Sequence, residues 1–127
     1  MNDDQYLALC REQLETFASE LVERSRHLPE NDALRLLADS FSGLASGEFE
    51  LYRDGAAMTS RLFTTYPDFA PTFPRDLLWF FGGDCLHFMP DDEIAVYQQL
   101  DELRSQAAAR GETLDLRAAK ASLKSLQ

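Results

Sequence analysis

Apolar residues recur every three or four positions along the first quarter of the chain. The positions that follow this spacing are Leu7, Cys10, Leu14, Phe17, Leu21 and Leu28. Such a spacing lines the apolar side chains along one face of an α-helix and does not fit the two-residue period of a half-buried strand. The sequence therefore predicts a first helix of about seven turns, which ends before Pro29.

A regular 3.5-residue repeat is typical of a helix that packs along another helix at a shallow angle. Three repeats do not identify that second helix, which is either a neighbour in the same chain or the same helix of a second copy. The second alternative leads us to expect a homodimer.

Capping residues and apolar spacing predict further helices. Asn31 is expected to cap a second helix, and a third is expected from about Glu48 to Tyr66, with Gly55 at a close helix contact. Pro90 and the acidic residues after it predict another helix start, and Thr113 is expected to cap a last short helix. The inner positions of these helices are predicted to be Leu34, Leu37, Phe41 and Leu44, then Leu51, Gly55, Met58 and Leu62, then Val96, Leu100, Leu103 and Ala107, and finally Leu116, Ala119, Leu123 and Leu126.

Two segments interrupt this pattern. Residues 67–74 contain three prolines, which exclude a regular helix, so we expect a crossing loop whose aromatic residues either cover the core or form a patch for a partner. Residues 77–89 are apolar on every face. We favour a central buried helix there over two short strands joined at Gly82-Gly83.

Composition limits the class of protein. The 127 residues are 45% hydrophobic and carry a net charge of −10, which predicts one all-α domain over residues 1–127, an array of five to six helices with one central apolar helix. The acidic start and the lack of a long apolar run predict no secretory signal and no membrane span. Cys10 and Cys85 fit reduced thiols, so we expect a cytoplasmic protein.

The charge is distributed unevenly. Residues 1–60 hold 12 acids and 5 bases, whereas residues 103–127 hold 5 bases and 2 acids. The excess of acid disfavours nucleic acid and membranes as partners. The basic end is interpreted as a solvated face or a packing partner for the acidic first helix in preference to a docking tail.

The apolar block of residues 77–89 also contains the polar residues that are the strongest candidates for a functional site. Asp84 and His87 share one face if the block is helical, and their burial would require hydrogen-bond partners. A ligand pocket is one interpretation, and a structural polar cluster is the simpler one. The candidate ligand-binding residues are Trp79, Asp84, Cys85, His87, Arg75 and Tyr66.

No pattern in the sequence predicts a metal, a cofactor or a catalytic group. A metal site needs three or four convergent ligands, and a nucleophilic cysteine needs a positive environment. We therefore expect a non-enzymatic interaction or regulatory protein that acts through helical surfaces. The alternatives are a small-molecule binder or small enzyme at the candidate residues, and an acidic mimic of nucleic acid.

Overall fold

The computed structural model describes residues 3–125. This part of the chain contains α-helices, two short 3-10 helices and no β-strand. The elements are α1 (Asp3–Ser25), α2 (Ala33–Ala45), α3 (Leu51–Thr65), a 3-10 helix (Pro67–Phe69), α4 (Arg75–Phe81), a second 3-10 helix (Gly83–Phe88), α5 (Asp91–Ala109) and α6 (Leu116–Ser125). The predicted all-α class is confirmed, whereas the position predicted for Leu126 lies outside the described residues.

The chain divides into two compact units. One unit comprises the residues up to Ala8 together with those from Met89 onward, and the other is Leu9–Phe88. Helix α1 begins in the first unit and ends in the second. That residues 1–127 form a single domain stays a prediction.

The apolar face of α1 is buried within the Leu9–Phe88 unit. Cys10, Leu14 and Leu21 are almost fully buried, and the Phe17 ring meets the Phe41 ring edge-on at 5.4 Å between centroids. The apolar face of α1 is therefore covered by other parts of the same chain, which is the first of the two alternatives given for its packing partner. The homodimer stays a prediction, but this face no longer motivates it.

The proline-rich segment of residues 67–74 closes over the same core. Its Phe73 is only 1% exposed, and the ring lies 4.7 Å from the Phe17 ring and 5.2 Å from the Phe63 ring. The Arg75 side chain fixes the segment, because its Nη1 donates a hydrogen bond to the Ala70 carbonyl at 2.7 Å. The interpretation in which the loop covers the core agrees with these contacts.

Helix α2 is capped one residue later than the sequence predicts. The side chain of Asp32, not that of Asn31, accepts a hydrogen bond from the Leu34 amide at 2.9 Å. Asparagine and aspartate both cap helices well, so residue type alone does not predict whether Asn31 or Asp32 is the cap. The choice depends on the backbone turn after Pro29, where the Asp32 amide donates to the Pro29 carbonyl.

Replacement of Asp32 by alanine should lower the free energy of unfolding by about 1 kcal/mol, since an amide at the helix start loses its acceptor. Asn31→Ala is the matched control and should change the free energy by less than about 0.5 kcal/mol. Urea unfolding followed by circular dichroism measures both. Equal losses in the two variants would contradict the observed cap.

The helix predicted over Leu77–Met89 is interrupted at Gly82 and is shorter than expected. Helix α4 ends at Phe81, because Gly82 adopts φ +60° and ψ −152°, a conformation that is essentially restricted to glycine. The chain continues as the 3-10 helix Gly83–Phe88, so the two-strand alternative is wrong. Leu77, Leu78 and Phe81 are nevertheless almost fully buried, which places α4 in the core as predicted.

The unit that includes the residues from Met89 onward contains α5 and α6, and Gly111 lies between these helices with φ +71°. Asp115 caps α6 by accepting from the Ala118 amide at 3.0 Å, so the predicted cap at Thr113 is wrong. Arg104 lies 3.7 Å from the Asp3 carboxylate and over the Tyr6 ring of α1 at 4.6 Å. For Arg104 this arrangement agrees with the interpretation as a packing partner of the acidic first helix, whereas Arg110 pairs with Glu112 and Lys120 donates to the Tyr97 hydroxyl.

Candidate functional site

A groove opens in the Leu9–Phe88 unit between α3 and the turn that follows α4. Its volume is about 480 Å³. The residues that line it are Tyr52, Arg53, Ala56, Ala57, Ser60, Phe81, Gly82, Gly83, Asp84 and Cys85. We call this feature the α3–α4 groove.

The groove exists because small residues occupy two facing segments. On α3, Ala56 and Ser60 follow Tyr52 at intervals of four residues, so the three share one face of the helix. On the other side, the glycine-only conformation of Gly82 turns the chain into the 3-10 helix. Neither wall carries enough side-chain volume to fill the space between them.

The Cys85 thiol is enclosed at the inner end of the groove. The residue is 1% exposed, and Sγ donates to the Ala56 carbonyl at 3.8 Å. Burial raises the pKa of the Cys85 thiol, a hydrogen bond with Ser60 opposes this, and the negative charge of Asp84 adds to it. A thiol with a raised pKa is a poor nucleophile at neutral pH.

Alkylation of Cys85 by iodoacetamide at pH 7.5 should be at least about tenfold slower in the folded protein than in the urea-unfolded chain, because burial limits both thiolate formation and access. Mass spectrometry of the peptide that contains Cys85 measures the rate. Equal rates in the two states would contradict the enclosure.

The same raised pKa has a consequence for stability. The folded state holds the thiol proton to higher pH than the unfolded chain, so the contribution of Cys85 is present below the ordinary thiol pKa of about 8.5 and is lost as the pH rises above it. The stability of the wild-type protein should therefore fall more steeply above pH 8.5 than that of Cys85→Ala. Parallel slopes would contradict the raised pKa.

The structure places Asp84 and His87 differently from the sequence-based expectation. Both side chains are exposed, so their predicted burial is wrong. Residues three apart in a 3-10 helix are eclipsed, which puts Asp84 and His87 on one outward edge while Cys85 points inward. Asp84 still lines the groove, whereas His87 does not.

The remaining candidate residues lie away from the groove lining. Arg75 holds the proline-rich segment, and the Tyr66 amide ends α3 by donating to the Leu62 carbonyl at 2.7 Å. Trp79 is half-buried on α4. The structure therefore brings Asp84 and Cys85 together at one feature and leaves the other four candidates outside it.

Sequence reasoning missed the aromatic residue at the rim of the groove. Tyr52 is 53% exposed, and its ring packs edge-on against Phe80 at 5.6 Å. Phe49 is 43% exposed and lies over Gly43 of α2. Three residues of chain span at most about 11 Å, which bounds the distance between the Cα atoms of Phe49 and Tyr52, and we call these two exposed aromatic residues the apolar rim. The sequence feature that could have indicated the groove was an aromatic residue, Tyr52, followed by small residues at the same helical face of α3.

Carboxylates surround the rim. Glu48 lies beside Phe49 over Gly43, Glu50 caps α3 by accepting from the Arg53 amide, and Asp84 lines the groove. Asp54 accepts from the Glu50 amide at 2.8 Å and pairs with Arg53, the guanidinium of the groove lining, at 3.3 Å. Asp84 is thus the carboxylate of the groove lining, whereas Glu48, Glu50 and Asp54 lie within two residues of Phe49 or Tyr52 in the sequence.

The described residues contain neither a cluster of metal ligands nor a membrane-spanning helix. Among residues 3–125, no group of three or more His, Cys, Asp or Glu side chains is arranged to hold a metal ion. None of the helices in that range is both long enough and apolar enough to cross a bilayer.

Comparison with known proteins adds a family. The model of the PA2817-like family matches residues 2–127. The chain belongs to the PA2817-like family. Neither a curated protein nor a solved structure shows significant similarity to this chain. Because the PA2817-like match spans both compact units, the groove lies inside the region that defines the family.

Proposed function

We propose that the protein acts by binding a partner protein, and that the α3–α4 groove with its rim of Tyr52 and Phe49 is the docking surface. The observation that carries this proposal is the exposure of Tyr52, 53%, directly at a groove lined by alanine, glycine and serine. Tyrosine is enriched where partners bind, since its ring offers a large apolar area and its hydroxyl a hydrogen bond.

The chemistry of the groove supports binding over catalysis. Its thiol has a raised pKa, and His87, which shares an edge of the 3-10 helix with Asp84, does not line the groove. Small residues on both walls let the backbone or side chains of a partner approach closely. A groove between helices suits the apolar face of an incoming helix.

Photo-crosslinking tests the proposal. Benzoylphenylalanine is placed at position 52, and at position 20 as an exposed control on α1, and the protein is irradiated in its native cells. We expect position 52 alone to give a discrete crosslinked product that mass spectrometry identifies. A crosslink to a second copy would assign the partner as the expected homodimer.

Reconstitution completes the test. The identified partner is purified, and its affinity should fall at least about tenfold for Tyr52→Ser, as expected of an aromatic anchor, but stay unchanged for Glu20→Ser. Absence of any product specific to position 52, or an affinity that Tyr52→Ser leaves unchanged, would refute the docking surface.

A second function has one observation in its favour. The volume of about 480 Å³ falls within the range of small-molecule sites, about 300–1,000 Å³, and Asp84 supplies a charged group at the wall. We infer from this an alternative in which the groove binds a small cationic or hydrogen-bonding molecule.

Thermal-shift screening tests this alternative. A true ligand should raise the melting temperature of the wild-type protein and of His87→Ala, whose side chain lies outside the groove lining, but not that of Asp84→Asn. A library in which no melting-temperature shift depends on Asp84 would refute the alternative.

A further inference from the structure

We infer that the segment docked in the α3–α4 groove is a cationic amphipathic helix of a partner protein, with an apolar stripe flanked by lysine or arginine. This inference rests on the proposed function, because it specifies the chemistry of the partner at the same surface. It is carried by the charges at the rim and by the size of the lining side chains.

The rim carries more negative than positive charge. Glu48, Glu50, Asp54 and Asp84 contribute four carboxylates, and Arg53 contributes one guanidinium in the lining. Arg53 pairs with Asp54, and the start of α3 uses the carboxylate of Glu50.

Of these four carboxylates, Glu48 and Asp84 are then the two with neither an ion pair nor a hydrogen bond that caps a helix among the described residues. Both are exposed; Glu48 is the chain neighbour of Phe49, and Asp84 lines the groove with Tyr52. Lysine or arginine beside an apolar stripe would complement these charges.

The lining favours a helix as the occupant. Ala56, Ala57, Ser60, Gly82 and Gly83 leave room for a helix to approach the walls closely. Tyr52 presents an aromatic face at the rim, which attracts a lysine or arginine as well as apolar groups. An occupant with alternating apolar and basic positions on adjacent faces satisfies both features.

Long-range electrostatics point to the same class of partner. The net charge of −10 attracts a basic segment and repels nucleic acid, anionic membranes and acidic peptides. A second copy of the chain carries the same net charge and is disfavoured at this surface for the same reason.

Synthetic peptides test the inference on the full-length protein. Three fluorescein-labelled peptides of 18 residues are compared by fluorescence anisotropy: an amphipathic helix with a leucine and alanine stripe and lysine and arginine flanks, the same peptide with glutamate at every basic position, and a scrambled version of the first. The basic helix should bind at least about tenfold more tightly than either control peptide, and about tenfold more weakly in 300 mM than in 50 mM salt.

Protein variants locate the binding. Glu48→Gln combined with Asp84→Asn should weaken binding of the basic helix about tenfold and reduce its salt dependence. The matched control combines Glu12→Gln with Glu20→Gln, which remove two exposed carboxylates of α1 outside the groove lining, and should change the affinity less than about twofold. Circular dichroism confirms that both double variants fold.

The outcomes separate the inference from the proposed function. Equal weakening by both double variants, or binding that Tyr52→Ser leaves unchanged, would show non-specific attraction to an acidic protein and overturn the inference. Tyr52-dependent binding of the glutamate peptide would also overturn it while leaving the docking surface intact. If the partner crosslinked at position 52 docks through an acidic or non-helical segment, the cationic-helix inference falls and the proposed function stands.

Discussion

Replacement of Phe73 by alanine is expected to lower the free energy of unfolding by about 3–5 kcal/mol, the cost of emptying a buried phenylalanine site. Phe73 is 1% exposed, and its ring lies between those of Phe17 and Phe63 at 4.7 Å and 5.2 Å. A loss of this size is unusual for a residue in a proline-rich loop, because loops usually lie on the surface. Urea unfolding measures it.

The matched control for this prediction lies in the same segment. Phe69 is half-buried, and its ring meets Phe17 and Tyr66 at the longer distances of 6.5 Å and 6.3 Å. Phe69→Ala should therefore cost less, about 1 kcal/mol. Similar losses in the two variants would mean that the loop as a whole, and not the Phe73 ring, contributes the stability.

Replacement of Gly55 by alanine should destabilise the protein by about 1–3 kcal/mol through overpacking. A Cβ at position 55 would lie 2.4 Å from Cε1 of Phe81 and 3.2 Å from a methyl group of Leu44. Helix propensity alone would predict the opposite sign, since alanine is favoured over mid-helix glycine by about 1 kcal/mol. The sign of the change measured by urea unfolding therefore distinguishes packing from propensity.

Gly43 of α2 provides the matched control for Gly55. A Cβ there would meet the Glu48 carboxylate at 2.5 Å and the Phe49 ring at 2.8 Å, and both of these side chains are exposed and free to move outward. Gly43→Ala should be neutral or stabilising by up to about 1 kcal/mol. Phe81→Leu replaces the ring that a Cβ at position 55 would meet. In the double variant Gly55→Ala with Phe81→Leu, the free energy of unfolding should therefore fall by less than the sum of the two single losses. A loss equal to that sum would contradict the steric explanation.

Periodicity predicted much of the fold because burial of the helices follows one-dimensional spacing. The face of α1 from Cys10 to Leu21 is buried as expected, and Gly55 makes a close helix contact as predicted, which the structure places against Phe81 of α4 and Leu44 of α2. Caps were less predictable, since adjacent residues such as Asn31 and Asp32 have nearly equal intrinsic preference. The local turn then decides which side chain reaches the amide.

The candidate site was predictable only in part, for a physical reason at one residue. The sequence between Pro74 and Pro90 is apolar enough for a buried helix, but the positive φ of Gly82 ends α4 there and starts a helix with a different number of residues per turn. This change of period turns Asp84 and His87 outward and Cys85 inward. Apolar composition reports the average burial of such a block and does not report which side chains face water.

The exposure of Tyr52 could not be predicted from the apolar stripe of α3. It lies next to Leu51, which the periodicity assigned to the core, and an aromatic residue beside such a stripe is usually part of the same packed face. Its exposure depends on the small residues of the facing turn, which are distant in sequence. Long-range complementarity of this kind is absent from any single window of the sequence.

Half of the residues that line the α3–α4 groove are alanine, glycine or serine. Alanine and glycine have no side-chain rotamers to restrict, so binding would cost little side-chain entropy in these walls. The conformational entropy lost on binding would come mainly from the occupant and from the long side chain of Arg53. A pre-ordered helix should therefore gain more affinity here than a flexible peptide with the same side chains.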